Sequence, residues 1–445
     1  MGNRPSASQR RQETPKAVFS GEFELTRDFE LPQQPTTPSG QPYDEAYLLV
    51  RVGGEPIGFV TVPLGAEPLS QPGILKAIQQ DLDVPTKAEL RRQGFPESSL
   101  LNGLGTSGVT PRGLRAKQQG STSVTVVVCT RNRAQFLPAC LNSLRRLEGD
   151  EIDFIIVDNA PLDDSTRDVV AEIADADSRF RYVREQLPGL SRARNQGLAH
   201  ATSEVIAYTD DDVRVDPLWV RGLLRGFARR PDVGCVTGMV ASASLELPAE
   251  QYFDGRVWWS SSCEAKVYDA RNGPTSAALH PYAAGALGTG ANFAVRSELI
   301  REIGGFDESL GAGSPCAGGE DLDAFVRFIR AGYSISYEPA ALVWHAHRID
   351  RDDLRRQMYE YGKALSAYLF KYASSRRTAL DVLRRLPYGL RRLALLGLRS
   401  HRIGLQTGFA RELLIAEIRG FMAGPLAYTR ARRAQNPERR RAVAP

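Results

Sequence analysis

Val124–Cys129, VTVVVC, is a continuous apolar run; Leu137, Cys140, Leu141, Leu144 and Leu147 then recur at helical spacing, and residues 153–159, DFIIVDN, form a second apolar run. An unbroken β-branched run suits a strand buried on both faces, and a 3.6-residue period suits a helix laid across it. Together they make a βαβ unit. The alternation continues with a helix at DVVAEIA (168–174), a strand at FRYVRE (180–185), a helix at SRARNQGLAHA (191–201) and a strand at EVIAYTD (204–210). Asp216-Pro217 reads as an N-cap and first-turn pair for a helix carrying Trp219, Leu223, Leu224 and Phe227. The pattern predicts an α/β domain, a mostly parallel sheet with helices on both faces. Ligands of such sheets sit beyond the carboxyl ends of the strands.

Outward from this unit, residues 1–17 read as a disordered leader and residues 18–111 as a small, β-rich α+β accessory domain. In the latter, AYLLVRV and PIGFVTVPL flank the turn Gly53-Gly54, with helices expected near PGILKAIQQDL and TKAELRRQG. A polar linker spans 112–122, the α/β domain 123–350, and a basic helical region 351–445. In that last region LPYGLRRLALLGLRSHRIGLQTGF and AEIRGFMAGPLAYTRARRA mix apolar residues with arginine. This suits amphipathic helices at an anionic membrane surface, or a basic cap packed on the α/β domain.

Composition narrows the class. In 445 residues, 42% are hydrophobic and 24% charged, which excludes a collagen-like, mucin-like or wholly disordered chain. The net charge of +5 is small, but arginines crowd the chain after Ser374. Cys129, Cys140, Cys235, Cys263 and Cys316 form an odd set without a CxxC pair, which fits reduced thiols in a cytosolic compartment. The polar N-terminus has no apolar signal region, and no stretch reaches about 18 apolar residues, so any membrane contact is expected to be peripheral.

Four polar clusters follow apolar runs: Thr130-Arg131-Asn132-Arg133, Asp158-Asn159, Asp210-Asp211-Asp212 and Glu320-Asp321. Three adjacent carboxylates repel one another, and a hard divalent cation would relieve that repulsion; a solvated acidic turn is the alternative. Asp158 alone reads equally as a turn former. Glu320 and Asp321 open a helix and suit its dipole, but the flexible approach GAGSPCAGG also suits a catalytic acid beside a bound substrate. His345 and His347 end an apolar run and become metal-ligand candidates once the acidic triplet needs a cation. Asn292, in GTGANFAVR, offers donor and acceptor groups beside small residues. Arg192, Arg194 and Asn195 lie near a helix start, placed for phosphate oxygens or for a solvated basic face.

In order and spacing, VVVCTRNR, IIVDN, GLSRARNQG, AYTDDDV, GTGANFAVR, GGFDESL, GGEDLDAFVRFIRAGY and VWHAHR resemble the family-2 glycosyltransferases of GT-A fold, over about 230 residues from 123 to 350. The resemblance implies that Thr130, Arg131 and Asp158 contact the nucleoside, Asp158 reading the base. It sets Arg194 by the base or diphosphate, Asp211 near the ribose and Asn292 in the donor pocket. Asp210 and Asp212 become the two acids of a DxD-type motif, with Asp212, Asp210 and His345 holding Mn²⁺ or Mg²⁺. Asp321 takes the place of the catalytic base, with Glu320 beside it.

An inverting transfer of one sugar from a UDP-, dTDP- or GDP-sugar to a carbohydrate or lipid-linked acceptor is the implied activity, in cell-surface polysaccharide, glycolipid or glycosylated metabolite synthesis. A catalytically inactive nucleotide-sugar or anionic-surface scaffold is the alternative. The QxxRW motif and spanning helices of processive synthases are absent; the nearest candidate, Gln357, lacks the Arg-Trp pair. No nucleic-acid module is recognisable, so nucleic acid is not an expected partner. The expected location is cytoplasmic, peripheral on the inner face of the plasma membrane.

Overall fold

The computed structural model describes residues 16–26, 36–37, 39–64, 69–98, 122–149, 151–274, 279–347, 350–389, 391 and 410–435. The leader before Lys16, the linker over 112–121 and most of the basic stretch 386–409 lie outside the described residues.

The apolar runs become strands. β4 (Val124–Thr130), β5 (Ile152–Asn159), β6 (Phe180–Glu185) and β7 (Val205–Asp210) are joined by helices Leu137–Leu144, Ser165–Ala176 and Leu190–His200. β4 pairs in parallel with β5 and β7, and β5 with β6. Val124, Val126, Val127 and Val128 are buried, each removal from water contributing roughly 1.5–3 kcal/mol. The helix after Asp216 starts at Trp219 rather than at Pro217, and the Asp216 carboxylate accepts a hydrogen bond from the Leu218 N–H instead of capping further in.

The sheet then changes character. β11 (Asn292–Arg296) is antiparallel to both β7 and β9 (Val233–Ser242), while β9 is parallel to β12 (Ser334–His345). Two short strands, β8 (Val213–Val215) and β10 (Lys266–Tyr268), run antiparallel to β12. The architecture is therefore mixed α/β: the parallel part expected from the apolar runs is the half β7-β4-β5-β6, and the other half is mixed.

β12 reads as one buried strand but carries a bulge. Its register against β9 shifts between Glu338 and Leu342, where Pro339 falls, and proline is tolerated in strands mainly at bulges and edges. The Asn292 amide holds the bulge, donating to the carbonyls of Met239 and Ala341 at 2.8 and 2.7 Å. Gly238 is needed at this crossing, because a Cβ there would lie 2.1 Å from the Ala341 oxygen.

The N-terminal unit has its own core. β1 (Val18–Glu24) is parallel to β2 (Glu45–Val52), which turns through Gly53-Gly54, both at positive φ, into antiparallel β3 (Glu55–Pro63). Helices Gln71–Asp81 and Asp83–Gln93 cover it, as their sequence period predicts. Leu49 leaves that core to pack with Met239, Ala241, Leu342 and Trp344 of β9 and β12. Arg51 forms a buried ion pair with Asp216 at 2.5 Å. This unit is thus fastened to the strand that carries His345.

Helices Arg351–Ala373 and Ala410–Ala434 pack on one another through glycine: a Cβ on Gly420 would lie 1.9 Å from the Tyr359 oxygen, and one on Gly362 2.1 Å from that of Glu417. Leu413, Ala416 and Tyr428 join the main core. The C-terminal region is in this respect a cap on the α/β domain.

Candidate active site

The acidic triplet sits where β7 ends. β8 begins at Val213 and pairs with β12 so that His345 lies opposite Val213. That register brings two distant segments together. His345 Nε2 stands 3.3 Å from Asp212 Oδ1, and ligand atoms of Asp210, Asp212 and His345 all lie within 4.8 Å of one another. Two carboxylates and one imidazole are a plausible donor set for a divalent cation.

A chain of polar groups orients the imidazole. His345 Nδ1 is 3.4 Å from His347 Nδ1, His347 Nε2 is 2.8 Å from Ser242 Oγ, and Ser242 Oγ donates to Asp254. Because Asp254 takes the Ser242 proton, Ser242 accepts from His347 Nε2, and His347 Nδ1 accepts from His345 Nδ1–H. This assignment leaves His345 Nε2 facing the carboxylates, where it donates a proton to Asp212 and, on giving that proton up, offers a lone pair to a cation. Burial pushes the His347 imidazole down to about 3, so it is neutral as the chain requires.

The three aspartates are not equivalent. Arg133 bridges Asp211 at 2.9 Å and Asp212 at 2.7 Å, and its guanidinium lies over the Phe136 ring. Burial pushes the Asp212 carboxyl up, but hydrogen bonds and charge from His345 and Arg133 overcome this and hold it well below the usual range. Burial, with the neighbouring Asp212 charge, raises Asp210. Asp211 is buried and accepts from Thr130 Oγ1 at 2.6 Å; burial pushes it up to about 6. Asp211, expected near the ribose, has its carboxylate held by Thr130 and Arg133. Thr130 is likewise buried, its hydroxyl donating to Asp211.

Asp158, in register with Thr130 across β4 and β5, is fully buried. Its Oδ2 accepts from the Tyr182 hydroxyl at 2.9 Å, while Oδ1 has no hydrogen-bond partner. Burial raises its carboxyl. A buried oxygen without a donor is costly and suits an N–H brought by a ligand. Arg131 is exposed at the rim, near Gly313.

On the other side, Gly318 and Gly319, both at positive φ, lead into helix Glu320–Arg330. Asp321 is partly exposed and its Oδ2 accepts from the Gly290 N–H at 2.7 Å. A side chain at 290 would be crowded, since a Cβ there would lie 2.8 Å from Arg194 and 3.0 Å from Asp321.

Arg194 and Asn292, expected as donor contacts, are both buried. Arg194 is buried; it donates to Glu320 at 2.8 Å and to the Gly290 carbonyl at 3.0 Å, and lies 4.0 Å from Asp210. Its guanidinium also stands among the rings of Phe293, Phe306 and Tyr208. It links the two carboxylate groups from below. Asn292 is completely buried, and its amide is consumed by the Met239 and Ala341 carbonyls and the Trp219 indole N–H. Glu320 is buried too, so it acts on the site through Arg194; burial pushes it up to about 7 despite that guanidinium, which it shares with Asp210 and Asp321. Arg192 pairs with Glu308, and Asn195 caps backbone groups of Phe306. Arg133 and Tyr182 are the contributors that strand-end reasoning passed over. Arg133 stood within a cluster already noted, but its reach to the triplet is a tertiary fact.

Residues 125–285 match the family model described as glycosyl transferase family 2. A pre-mycofactocin glycosyltransferase of Mycobacterium tuberculosis is 32% identical over 243 residues, 54% of this chain and 46% of that protein. A glucosyl-dolichyl phosphate glucuronosyltransferase of Haloferax volcanii is 23% identical over 265 residues, 58% of this chain and 81% of that protein. Among solved structures, a mannosyltransferase from Pyrobaculum calidifontis in complex with GDP-Man and Mn²⁺ aligns with a TM-score of 0.45 and 19% identity, over 83% of this chain and 93% of that one. The chain thus spans about half the length of the mycobacterial relative. The match to glycosyl transferase family 2 thus falls within the α/β domain, over residues 125–285.

Proposed function

We propose that this chain transfers a single sugar, with inversion, from a nucleoside-diphosphate sugar to an acceptor hydroxyl. One observation carries the reading: a cation-suited triad, Asp210, Asp212 and His345, and a partly exposed carboxylate, Asp321, are joined through one buried arginine, Arg194. The unpartnered Asp158 oxygen supports a nucleobase N–H at the far end of the same strand edge. Among candidate cations, the imidazole favours Mn²⁺ over the harder Mg²⁺. Such an ion, when bound, supplies neutralisation of the charge on the departing diphosphate. Asp321 takes the proton of the attacking hydroxyl, with Gly290 N–H and Arg194 fixing its position. Glu320 keeps Arg194 in place.

Helix Ala410–Ala434 supports a lipid-surface setting for the reaction. Ile415, Ile418, Met422 and Leu426 form one exposed stripe along it, with Met422 75% open, and Arg411, Arg419, Arg430 and Arg433 are exposed around it. An apolar stripe rimmed by arginine suits an anionic membrane surface. No helix among the described residues is long and apolar enough to cross a membrane. A lipid-linked acceptor fits this face, and the Haloferax relative, by its name, acts on a glucosyl-dolichyl phosphate. A cytoplasmic, peripheral location is the corresponding proposal, in keeping with five free cysteines.

The test is a panel of UDP-, dTDP- and GDP-sugars, with and without Mn²⁺, scored by release of nucleoside diphosphate. Cation-dependent release from at least one donor is expected. Failure of every donor would sink the reading in favour of an inactive scaffold.

A further inference from the structure

Three aromatic residues of helix Arg351–Ala373 differ in their surroundings. Tyr368 and Tyr372 are buried, their hydroxyls spent on the Tyr282 carbonyl and on Asp323. Tyr361 is 43% exposed. Its ring centroid lies 6.0 Å from that of Phe253, which lies 4.7 Å from His347, the partner of His345. One turn further along the helix, Ala364 meets the glycines that precede Asp321: a Cβ on Gly318 would lie 3.1 Å from the Ala364 Cβ, and one on Gly319 3.2 Å from its oxygen. Tyr361 therefore sits between the histidine side and the Asp321 side of the site. Burial pushes its phenol up to about 12, and the Asp321 and Asp210 carboxylates push the same way. The ring lies beside Phe253 with much of its surface open. Gln357, one turn earlier, donates to the Tyr361 hydroxyl at 3.3 Å, leaving the phenol proton and the glutamine oxygen for another partner.

We infer that Tyr361, with Gln357, forms the acceptor wall of the site and holds a carbohydrate ring of the acceptor against Asp321. An aromatic face beside a few convergent polar groups is the usual lining of a ligand pocket. The C–H face of a sugar packs on such a ring, while its hydroxyls meet the phenol and the amide. The inference rests on the glycosyltransferase reading and adds a residue that selects the acceptor.

The experiment uses the full chain, the best donor from the nucleotide-sugar panel, and p-nitrophenyl glycosides as acceptor probes. Tyr361→Ala is expected to raise the acceptor KM about tenfold while kcat falls less than about threefold, the pattern of lost binding. Tyr361→Phe, which keeps the ring and loses only the phenol contact, should raise that KM clearly less than Tyr361→Ala does. An unchanged acceptor KM in Tyr361→Ala, a fall in kcat alone, or equal damage from both variants overturns the inference and leaves the glycosyltransferase reading intact. Donor hydrolysis that no glycoside accelerates also overturns it. No turnover of any donor by the unsubstituted chain overturns both.

Discussion

His345 Nε2 faces Asp212 Oδ1 across 3.3 Å because β8, only three residues long, zips the chain after the acidic triplet onto the end of β12. The contact depends on the β12 register, and thus on the bulge that Asn292 pins. His347 then fixes which nitrogen of His345 faces Asp212. Replacing His347 with Gln should weaken Mn²⁺ affinity about 10–100-fold, as loss of a supporting partner does. Calorimetric titration with Mn²⁺ checks this; an unaltered affinity contradicts the relay from Asp254.

The partly exposed Asp321 carboxylate is the proposed base. Asp321→Asn should lower transfer about 10²–10⁴-fold, with the donor dissociation constant nearly unchanged, because the amide keeps the shape and loses the basicity. Turnover and donor binding measured side by side decide it: near-normal turnover removes Asp321 from the role of base.

The Arg51–Asp216 pair should behave as a buried bond between the N-terminal unit and the α/β domain. Arg51→Met strands the Asp216 carboxylate and should cost about 3–5 kcal/mol in urea unfolding, whereas pairing it with Asp216→Leu should recover much of that loss. A single variant as stable as the parent would show that the pair does not couple the two units.

Glu320 gives stability a pH slope. Its folded carboxyl is raised to about 7, so the folded chain holds a proton that the unfolded chain releases at the ordinary value of 4.5. Stability from this group is therefore present below about 4.5 and lost as pH rises towards 7, by on the order of 1–3 kcal/mol. Glu320→Gln should flatten that part of the profile. Unfolding free energies at pH 5 and pH 7 for both proteins provide the measurement, and identical slopes would exclude Glu320 as their source.

If the arginine-rimmed stripe docks on lipid, Ile418→Asp combined with Met422→Asp should abolish co-sedimentation with phosphatidylglycerol vesicles without lowering the melting temperature, since both side chains already face water. Binding that survives the double substitution places the lipid contact elsewhere.

Much of the architecture was legible before folding because it is written in short-range periods. VTVVVC and DFIIVDN suit buried strands, and the helical spacing after each makes the parallel half of the sheet. The N-terminal hairpin was legible from its Gly53-Gly54 turn, and the order of the polar strand ends pointed to the triplet, to His345 and to Asp321. Side-chain partnerships were not legible, because they join residues distant in sequence through strand order and register. Asn292 reads as a ligand-binding amide, whereas in the fold its hydrogen bonds go to Met239, Ala341 and Trp219, and Arg194 reads as a phosphate contact, whereas in the fold it is buried and bonded to Glu320 and Gly290. Residue order thus settles which chemistry the chain carries. Which carboxylates are open to a ligand, which are spent on arginine, and which tyrosine faces the site follow from burial and register, which exist only in the folded chain.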